Sequence, residues 1–300
     1  MILTRYTRIA VVMGGLSPER EVSLDSGTRV KDALVQGGYT AVTPVDMGRD
    51  IDVVLRDLRP EVVFNALHGA YGEDGRLPGL LDIIGIPYTG SGVTASAVAM
   101  DKILTKRVAR TLGIPLAADM VVTAAPGLAA PMHYPFVFKD PLNGSSHGVF
   151  IVRDGTEWRD ALTQSAGKRM LVEEYVKGRE ITVAVLGDAV LGDVEIVPAK
   201  EFYDYEAKYK DENTRYIPDP DYDPAMRDAM RRAALELHRT LGCRGATRSD
   251  FIVAPDRHIM LEINTHPGMT GHSLVPMAAA KRGIDYLGLI ERLLAEALAA

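Results

Sequence analysis

The chain has 300 residues, of which 47% are hydrophobic and 25% charged, a composition typical of a globular protein with two or three packed units. Its formal net charge of −6 argues against the concentrated basic face of a duplex nucleic-acid binder and favours small-molecule chemistry. Cys243 is the single cysteine, so no intrachain disulfide forms and we expect a buried, inert thiol. We also expect a cytoplasmic protein, because the first apolar run, at 9–13, is too short for a signal peptide or a membrane span.

The first third of the chain predicts a parallel sheet. The apolar run at 9–13 ends in two glycines, and Ser17 and Pro18 then supply an N-cap and a proline at the first helical position. A second unit covers 53–67 and ends at His68 and another glycine. Alternating strands and helices with glycine at the strand ends are typical of a doubly wound parallel sheet, which binds ligands beyond the carboxyl ends of its strands.

The remaining two thirds predict mixed helices and antiparallel strands. Helices are predicted at 95–112, 224–241 and 287–298, and strands at 136–138, 149–152, 171–176, 180–186, 250–253 and 258–263. The segment 200–223 is polar and rich in tyrosine, without apolar periodicity, as in a functional loop. These patterns place domains at 1–92, 93–182 and 183–300.

Three oxygen ligands are predicted on two neighbouring strands near the end of the chain. Strand alternation puts Glu262 and Asn264 on one face, and a paired strand brings Asp250 beside them. Oxygen donors without His or Cys suit Mg²⁺ or Mn²⁺, ions that bridge nucleotide phosphates. Carboxylates with this spacing on strands are more often simply solvated than bound to a metal. The spacing alone therefore does not establish a metal site, and the surrounding motifs have to decide between the two interpretations.

A glycine and serine loop at 144–148 follows Lys139, which ends an apolar strand. Glycines let backbone N–H groups crowd around a phosphate, serine hydroxyls add donors, and the lysine adds a point charge. The loop is not a Walker A loop, because its lysine precedes the glycines. An ordinary hairpin turn explains the loop equally well, and His147 is typical of a surface loop.

Together these segments resemble the ATP-grasp superfamily and, within it, the D-alanine–D-alanine ligase family. The resemblance covers nearly the whole chain and is carried, in order, by the segments 14–23, 68–75, 88–91, 100–102, 144–146, 173–174, 178–180, 201–209 and 262–270. It implies an α/β fold of three domains, with a doubly wound parallel sheet in an N-terminal substrate-binding domain. Two α+β domains would then enclose the nucleotide, the last of them carrying the metal site and a lid loop at about 200–220.

The same resemblance implies a chemistry. In that family ATP phosphorylates the carboxylate of one D-alanine, the amine of a second attacks the D-alanyl phosphate, and phosphate leaves. The product, D-alanyl-D-alanine, serves peptidoglycan precursor synthesis. We therefore expect ATP as substrate, two Mg²⁺ or Mn²⁺ ions, D-alanine as partner, a homodimer, and neither nucleic acid nor membrane as partner.

The resemblance also implies roles for individual residues. ATP would be held by Lys102, Lys139, Ser146, Glu173, the backbone of Val176, Glu180 and Lys208. The metal ions would be held by Asp250, Glu262 and Asn264. D-alanine would be held by His68, Ser273 and Leu274. The catalytic group would be Glu19, Ser145, Tyr209, Arg248 and Gly268, in which Glu19 binds the first ammonium and the Arg248 guanidinium and Gly268 N–H stabilise the oxyanion. Ser145 and Tyr209 would join Glu19 in a hydrogen-bonded latch.

The sequence departs from the family pattern at three places. Asp140 follows Lys139 where proline is usual, His147 replaces an aliphatic residue, and Ser249 replaces Val or Ile. The charge of Asp140 would weaken phosphate binding. Two alternatives remain open: a ligase that makes D-alanyl-D-lactate or D-alanyl-D-serine, which Tyr209 argues against, and an inactive nucleotide-binding protein, which the complete set of ligands argues against.

Overall fold

The computed structural model describes residues 1–144, 148–198 and 214–300. Within these residues the strands form a three-stranded, a four-stranded and a five-stranded sheet. Part of the predicted site lies outside the described residues, namely Ser145, Ser146, His147, Lys208 and Tyr209. The predicted lid falls in large part on the undescribed range 199–213.

The first sheet is parallel, as predicted. Its strands, in spatial order, are β2 (Val42–Asp46), β1 (Ile9–Met13) and β3 (Val62–Asn65). Its helices are α1 (Arg20–Gln36), α2 (Ile51–Leu58) and α3 (Arg76–Ile84). Because β1 and β3 pair in parallel from Ile9 and Val62 onward, their carboxyl ends reach one edge. The loops that start at Gly14 and after Asn65 therefore lie side by side.

The second sheet is antiparallel and has four strands. In spatial order they are β4 (Asp119–Thr123), β7 (Arg169–Glu174), β5 (Phe136–Lys139) and β6 (Val149–Val152). Helix α6 (Gly155–Gln164) covers one face, where Phe136 and Phe138 meet Trp158 edge-on with ring centroids 5.3 and 4.9 Å apart. Strand alternation then turns Val137 and Lys139 to the opposite face.

The third sheet is also antiparallel and has five strands. In spatial order they are β10 (Arg215–Pro218), β9 (Ala189–Val197), β8 (Arg179–Leu186), β11 (Ala246–Val253) and β12 (His258–Asn264). The helices that pack against it are α4 (Val93–Met100), α5 (Lys102–Thr111), α7 (Pro224–Leu241) and α8 (Leu274–Lys281). One continuous hydrophobic core runs from β1 and β3 through α8 and α9 (Tyr286–Ala299) to β9. The parallel sheet is thus packed directly onto the third sheet.

The predicted domain boundary at 182 falls inside β8, a continuous strand of the third sheet. The chain passes from the second to the third sheet at 175–178, between β7 and β8. Helices α4 and α5 also pack against the third sheet, although their sequence position had put them in the central unit. We therefore propose that the central unit covers about 117–175.

Several elements differ from their prediction for local reasons. The helix predicted at 95–112 is two helices, because the Asp101 side chain caps α5 by accepting hydrogen bonds from the N–H groups of Ile103 and Leu104. Of the segment predicted as a lid loop to about 220, residues Arg215–Pro218 form β10, which pairs with β9. Strand β9 escaped prediction because it carries Asp193, a buried acid that Arg231 neutralises at 2.9 Å. Among the described residues, no helix has the length and apolar character that crossing a membrane requires.

Cys243 is buried, as expected, and burial raises the pKa of its thiol to about 11. The thiolate is the reactive form, so at pH 8 roughly one folded molecule in a thousand carries it. We expect iodoacetamide at pH 8 to leave the folded protein unlabelled over an hour and to label the urea-unfolded chain fully, as counted by mass spectrometry. Rapid labelling of the folded protein would contradict the burial.

Candidate active site

The predicted site residues surround two adjoining cavities. The strand-end cavity lies beyond the carboxyl ends of β1 and β3; the predicted residues that line it are Glu19, His68, Arg248, Asn264, Gly268, Ser273 and Leu274. The intersheet cleft lies between the second and third sheets; the predicted residues that line it are Lys139, Glu173, Val176, Glu180 and Asp250. Lys102 and Glu262 line both cavities. Every predicted residue that the structure describes thus reaches one of the two.

The two cavities meet at an ion pair. Lys102 is the first residue of α5, and its Nζ lies 3.0 Å from Glu262 Oε2 on β12. The same Nζ donates a hydrogen bond of 2.9 Å to the carbonyl oxygen of Asn143, next to the glycine and serine loop. A cation is therefore available where a ligand in the cleft would approach a ligand in the strand-end cavity.

Strands β11 and β12 bring the predicted metal ligands together. Asp250 lies opposite Glu262, and Arg248 lies opposite Asn264. The register shifts after Asp250, so Leu261 is an extra residue on β12. This β-bulge lets the consecutive residues Leu261 and Glu262 both line the cleft, which regular alternation would forbid.

The donor set fits a hard divalent cation. Two carboxylates and a carboxamide oxygen are ligands that Mg²⁺ prefers. Among residues 1–144, 148–198 and 214–300, no group of three His, Cys, Asp or Glu side chains is arranged to hold a metal ion. The predicted donor set instead combines two carboxylates with the side-chain amide of Asn264, which lies next to Glu262 on the same face of β12. In the structure Asp250 accepts two hydrogen bonds of 2.9 Å from Arg248 and one from the Thr182 hydroxyl. These hydrogen bonds fix the orientation of the Asp250 carboxylate.

Glu173 in the cleft is bound by two lysines. It forms ion pairs with Lys139 on β5 and with Lys106 on α5, and Lys106 Nζ also lies 2.9 Å from Asp119 Oδ2. Burial alone would raise the pKa of the Glu173 carboxyl, but the charges of Lys139 and Lys106 outweigh it and hold the pKa below its usual value. Glu173 is therefore an anion inside the protein.

The strand-end cavity is built where the two parallel strands end. The Ser17 hydroxyl donates to the carbonyl oxygen of His68 at 2.7 Å and accepts from the N–H of Glu19 at 3.2 Å, which ties the two loops together. The His68 ring lies between Ser26 Oγ, 3.2 Å from Nε2, and Glu73 Oε1, 3.4 Å from Nδ1. Glu19 and His68 are both buried and both reach the cavity.

The opposite wall of the strand-end cavity is the start of α8. Ser273 is the N-cap residue, and its Oγ accepts a hydrogen bond of 2.8 Å from the N–H of Thr270. The first N–H groups of a helix lack partners within the helix and attract anions. A Cβ on Gly268 would lie 3.0 Å from Ser273 Oγ and 3.6 Å from His68 Cε1, so glycine keeps this wall open.

Several residues that line or support the cavities were not predicted from the sequence. They are Lys106, Glu73, Tyr216, Thr270 and His272. Lys106 had a usable signal, since it lies four residues after Lys102 on the same helix face. Glu73 lies in a glycine-rich turn, where an acidic residue typically braces the turn itself, as the neighbouring Asp74 does by accepting from the N–H of Tyr71 at 2.9 Å. Glu73 instead lines the strand-end cavity.

Asp140, which we expected to repel phosphate, has a local partner in the structure. Its carboxylate accepts hydrogen bonds from the N–H of Leu142 at 3.0 Å and from Asn143 Nδ2 at 3.2 Å. These bonds spread part of its charge into the turn after β5.

Gly69 tests the packing around Glu19. A Cβ on Gly69 would lie 2.5 Å from Glu19 Oε2, whereas a Cβ on Gly85 would meet nothing within 4 Å. Both glycines have positive φ, 67° and 70°, so alanine introduces similar backbone strain at both. We expect Gly69→Ala to cost about 1–2 kcal/mol more than Gly85→Ala, measured as the difference in free energy of unfolding in urea. Equal losses in free energy of unfolding for the two variants would show that the Glu19 side chain moves aside from the new methyl group without cost.

Known families match this chain over most of its length. The family model described as D-ala D-ala ligase C-terminus matches residues 117–295, and the model described as D-ala D-ala ligase N-terminus matches residues 51–91. The D-alanine–D-alanine ligase of Chelativorans sp. (strain BNC1) is 47% identical over an alignment that covers 96% of this chain and 97% of the relative. The ligase of Sphingopyxis alaskensis is 45% identical, with 97% of each chain covered.

A solved structure agrees with these matches. The D-alanine–D-alanine ligase of Bacillus anthracis, crystallised in complex with ATP, superposes with a TM-score of 0.84 at 31% identity. The superposition covers 98% of this chain and 97% of that one. This similarity confirms the α/β fold of the ATP-grasp type, with a parallel sheet in its N-terminal part, that the sequence resemblance implied. Matches over nearly full length in sequence and in structure establish that the chain belongs to the D-alanine–D-alanine ligase family.

Proposed function

We propose that this chain uses ATP to join two D-alanine molecules into D-alanyl-D-alanine, a peptidoglycan precursor, through a D-alanyl phosphate. One observation carries the proposal: the described ligand candidates line two adjoining cavities that share Lys102 and Glu262. Such an arrangement suits a reaction in which a phosphoryl group passes from a nucleotide in one cavity to a small acid in the other. The match to relatives of that activity over nearly full length supports it.

The nucleotide would lie in the intersheet cleft. Apolar side chains such as Val137 and Ile252 line its walls and suit the faces of a base. We assign Glu173, the Val176 backbone and Glu180 to the adenine and ribose. The phosphates would then reach Lys102 and Lys139, whose charges favour the transferring phosphoryl group.

Divalent cations would be held by Asp250, Glu262 and Asn264, and when bound they neutralise charge on the phosphates. The protein contributes the orientation of these oxygens. Thr182 and Arg248 fix the Asp250 carboxylate by hydrogen bonds, and the pairing of β11 with β12 fixes Glu262 opposite it. Preorganised groups of this kind need no rearrangement during the reaction.

The two D-alanines would lie in the strand-end cavity. Glu19 is the partner for the ammonium of the first, with His68 beside it. The carboxylate of the second would bind at the start of α8, through the Ser273 hydroxyl and the Leu274 N–H. The amine of the second then bonds to the carboxyl carbon of the first and loses a proton, and the bond from that carbon to the phosphate oxygen breaks. Arg248 and the Gly268 N–H would stabilise the oxyanion formed on the way.

The remaining roles rest on the family resemblance. Ser145, Ser146, Lys208 and Tyr209 lie outside the described residues. We assign Ser146 and Lys208 to ATP, and Ser145 and Tyr209 to a latch with Glu19 that closes the site and protects an acyl phosphate from water. We also propose a cytoplasmic homodimer. The net charge of −6 supports our expectation that nucleic acid is not a partner.

Glu262→Ala tests the metal and phosphate site. Removing this carboxylate takes away a cation ligand and the partner of Lys102, so phosphate release from ATP should fall at least about 1,000-fold. Thermal unfolding should stay close to that of the parent, because Glu262 is partly exposed. Glu236→Ala, a change at an exposed glutamate of α7, is the matched control and should leave turnover intact. Near-parental turnover in Glu262→Ala would refute the site.

The choice of substrate tests the reaction itself. Phosphate release with Mg²⁺ and ATP is measured in parallel with D-alanine, L-alanine, and D-alanine mixed with D-serine or D-lactate. We expect D-alanine alone to support full turnover and L-alanine to support none. Mass spectrometry identifies the product, since the D-lactate product is an ester. Equal rates with L-alanine would move the chain to another ATP-grasp activity, and a dominant mixed product would identify one of the alternative ligases.

A further inference from the structure

We propose that Lys106 is a positioning residue for the nucleotide phosphates, because it remains bound to Glu173 when Lys139 leaves that carboxylate for phosphate. The inference deepens the proposed function and rests on the nucleotide binding in the intersheet cleft. Lys106 itself does not line the cleft among the residues that the structure describes. It would act through Glu173 and Lys139, both of which do.

One face of helix α5 carries three cationic side chains. Lys102, Lys106 and Arg110 follow one another at intervals of four residues, so they lie on the same side of the helix. Lys102 reaches Glu262 on the third sheet, whereas Lys106 and Arg110 reach the second sheet. Helix α5 therefore supplies cations to both walls of the cleft.

The charges that Lys106 joins alternate in sign. Arg110 Nη2 lies 2.6 Å from Asp119 Oδ2, and Lys106 Nζ lies 2.9 Å from the same oxygen. Lys106 then pairs with Glu173, and Glu173 pairs with Lys139. The row ends with Lys139 in the cleft and with Arg110 half exposed at the surface.

Because Lys106 and Glu173 are buried, each of them needs at least one oppositely charged partner from the protein. Lys106 and Glu173 have only 1% and 3% of their surface exposed, so neither can exchange its partner for water. A buried carboxylate that loses its last cation is strongly disfavoured. With Lys106 present, Lys139 can turn to a phosphate while Glu173 keeps one cation. Without Lys106, the same movement would leave Glu173 unpaired, so Lys139 would stay where it is.

The contribution of Lys106 is therefore expected only for ligands that carry phosphate. Adenosine would fill only the base and ribose part of the cleft, so Lys139 can stay paired with Glu173 when it binds. ADP also carries phosphates, which Lys139 has to leave Glu173 to contact. A residue that merely braces the fold would affect both ligands, whereas a residue that frees Lys139 affects ADP alone.

Calorimetric titration of the full chain with Mg²⁺–ADP and with adenosine tests the proposal. Lys106→Met should weaken ADP at least about tenfold and adenosine no more than about twofold. Lys106→Arg, which keeps the charge, should recover most of the ADP affinity. Arg110→Met is the matched control: it removes a cation from the same helix face without touching Glu173, and both affinities should stay near those of the parent.

The Lys106→Met protein should fold, because Glu173 keeps Lys139 and Asp119 keeps Arg110. A second comparison uses Glu173→Gln as the background, where no buried carboxylate can trap Lys139. There, adding Lys106→Met should leave the ratio of ADP to adenosine affinity unchanged. If Lys106→Met lowers the ratio of ADP affinity to adenosine affinity equally in the parent and in Glu173→Gln, the proposal is overturned. The effect of Lys106 on ADP would then not depend on Glu173.

The remaining outcomes are equally distinct. Unchanged ADP affinity in Lys106→Met, or an equal loss for ADP and adenosine, would overturn the role of Lys106 while leaving the proposed function standing. A parent protein that binds neither ADP nor ATP would remove the proposed function and this inference together.

Discussion

Neutralisation of buried charge is the constraint on which the cleft depends. Glu173 is an anion with 3% of its surface exposed, and it is stable there only because lysines from two different elements reach it. These ion pairs tie α5, a helix of the third sheet, to β5 and β7 of the second sheet. The same contacts that hold the two walls together leave lysines at the place where a phosphate would bind. Stability and ligand affinity therefore draw on one set of charges.

The position of the cavities follows from how the sheets are joined. A common hydrophobic core packs the parallel sheet against the third sheet through α8 and α9. That packing brings the carboxyl ends of β1 and β3 to the end of β12 and to the start of α8. Glu19 and His68 come from the first region, and Asn264 and Gly268 from the second. A small substrate would be surrounded by groups that are far apart in the sequence.

Strand β12 shows how a local irregularity serves the site. Regular alternation would turn either Leu261 or Glu262 away from the cleft, but the bulge presents both. An apolar surface for a base and a carboxylate for a cation can then lie side by side. The neighbouring strand stays regular, and its Asp250 is held by Arg248, a side chain two residues away on the same face. Rigid strands therefore carry the oxygens that the proposed chemistry needs.

The sequence by itself determined the parallel character of the first sheet, helix 224–241, the hairpin around the glycine and serine loop, and the opposition of Asp250 and Glu262. These features depend on local periodicity and capping, which neighbouring residues set. Only the tertiary structure decided that β8 belongs to the third sheet and that Lys106 neutralises Glu173. Strand partners and buried ion pairs join residues far apart in the chain, and a charged residue such as Asp193 looks unsuited to a strand until its distant arginine is known. The apolar pattern is the same whichever sheet a strand joins, so packing has to make that choice.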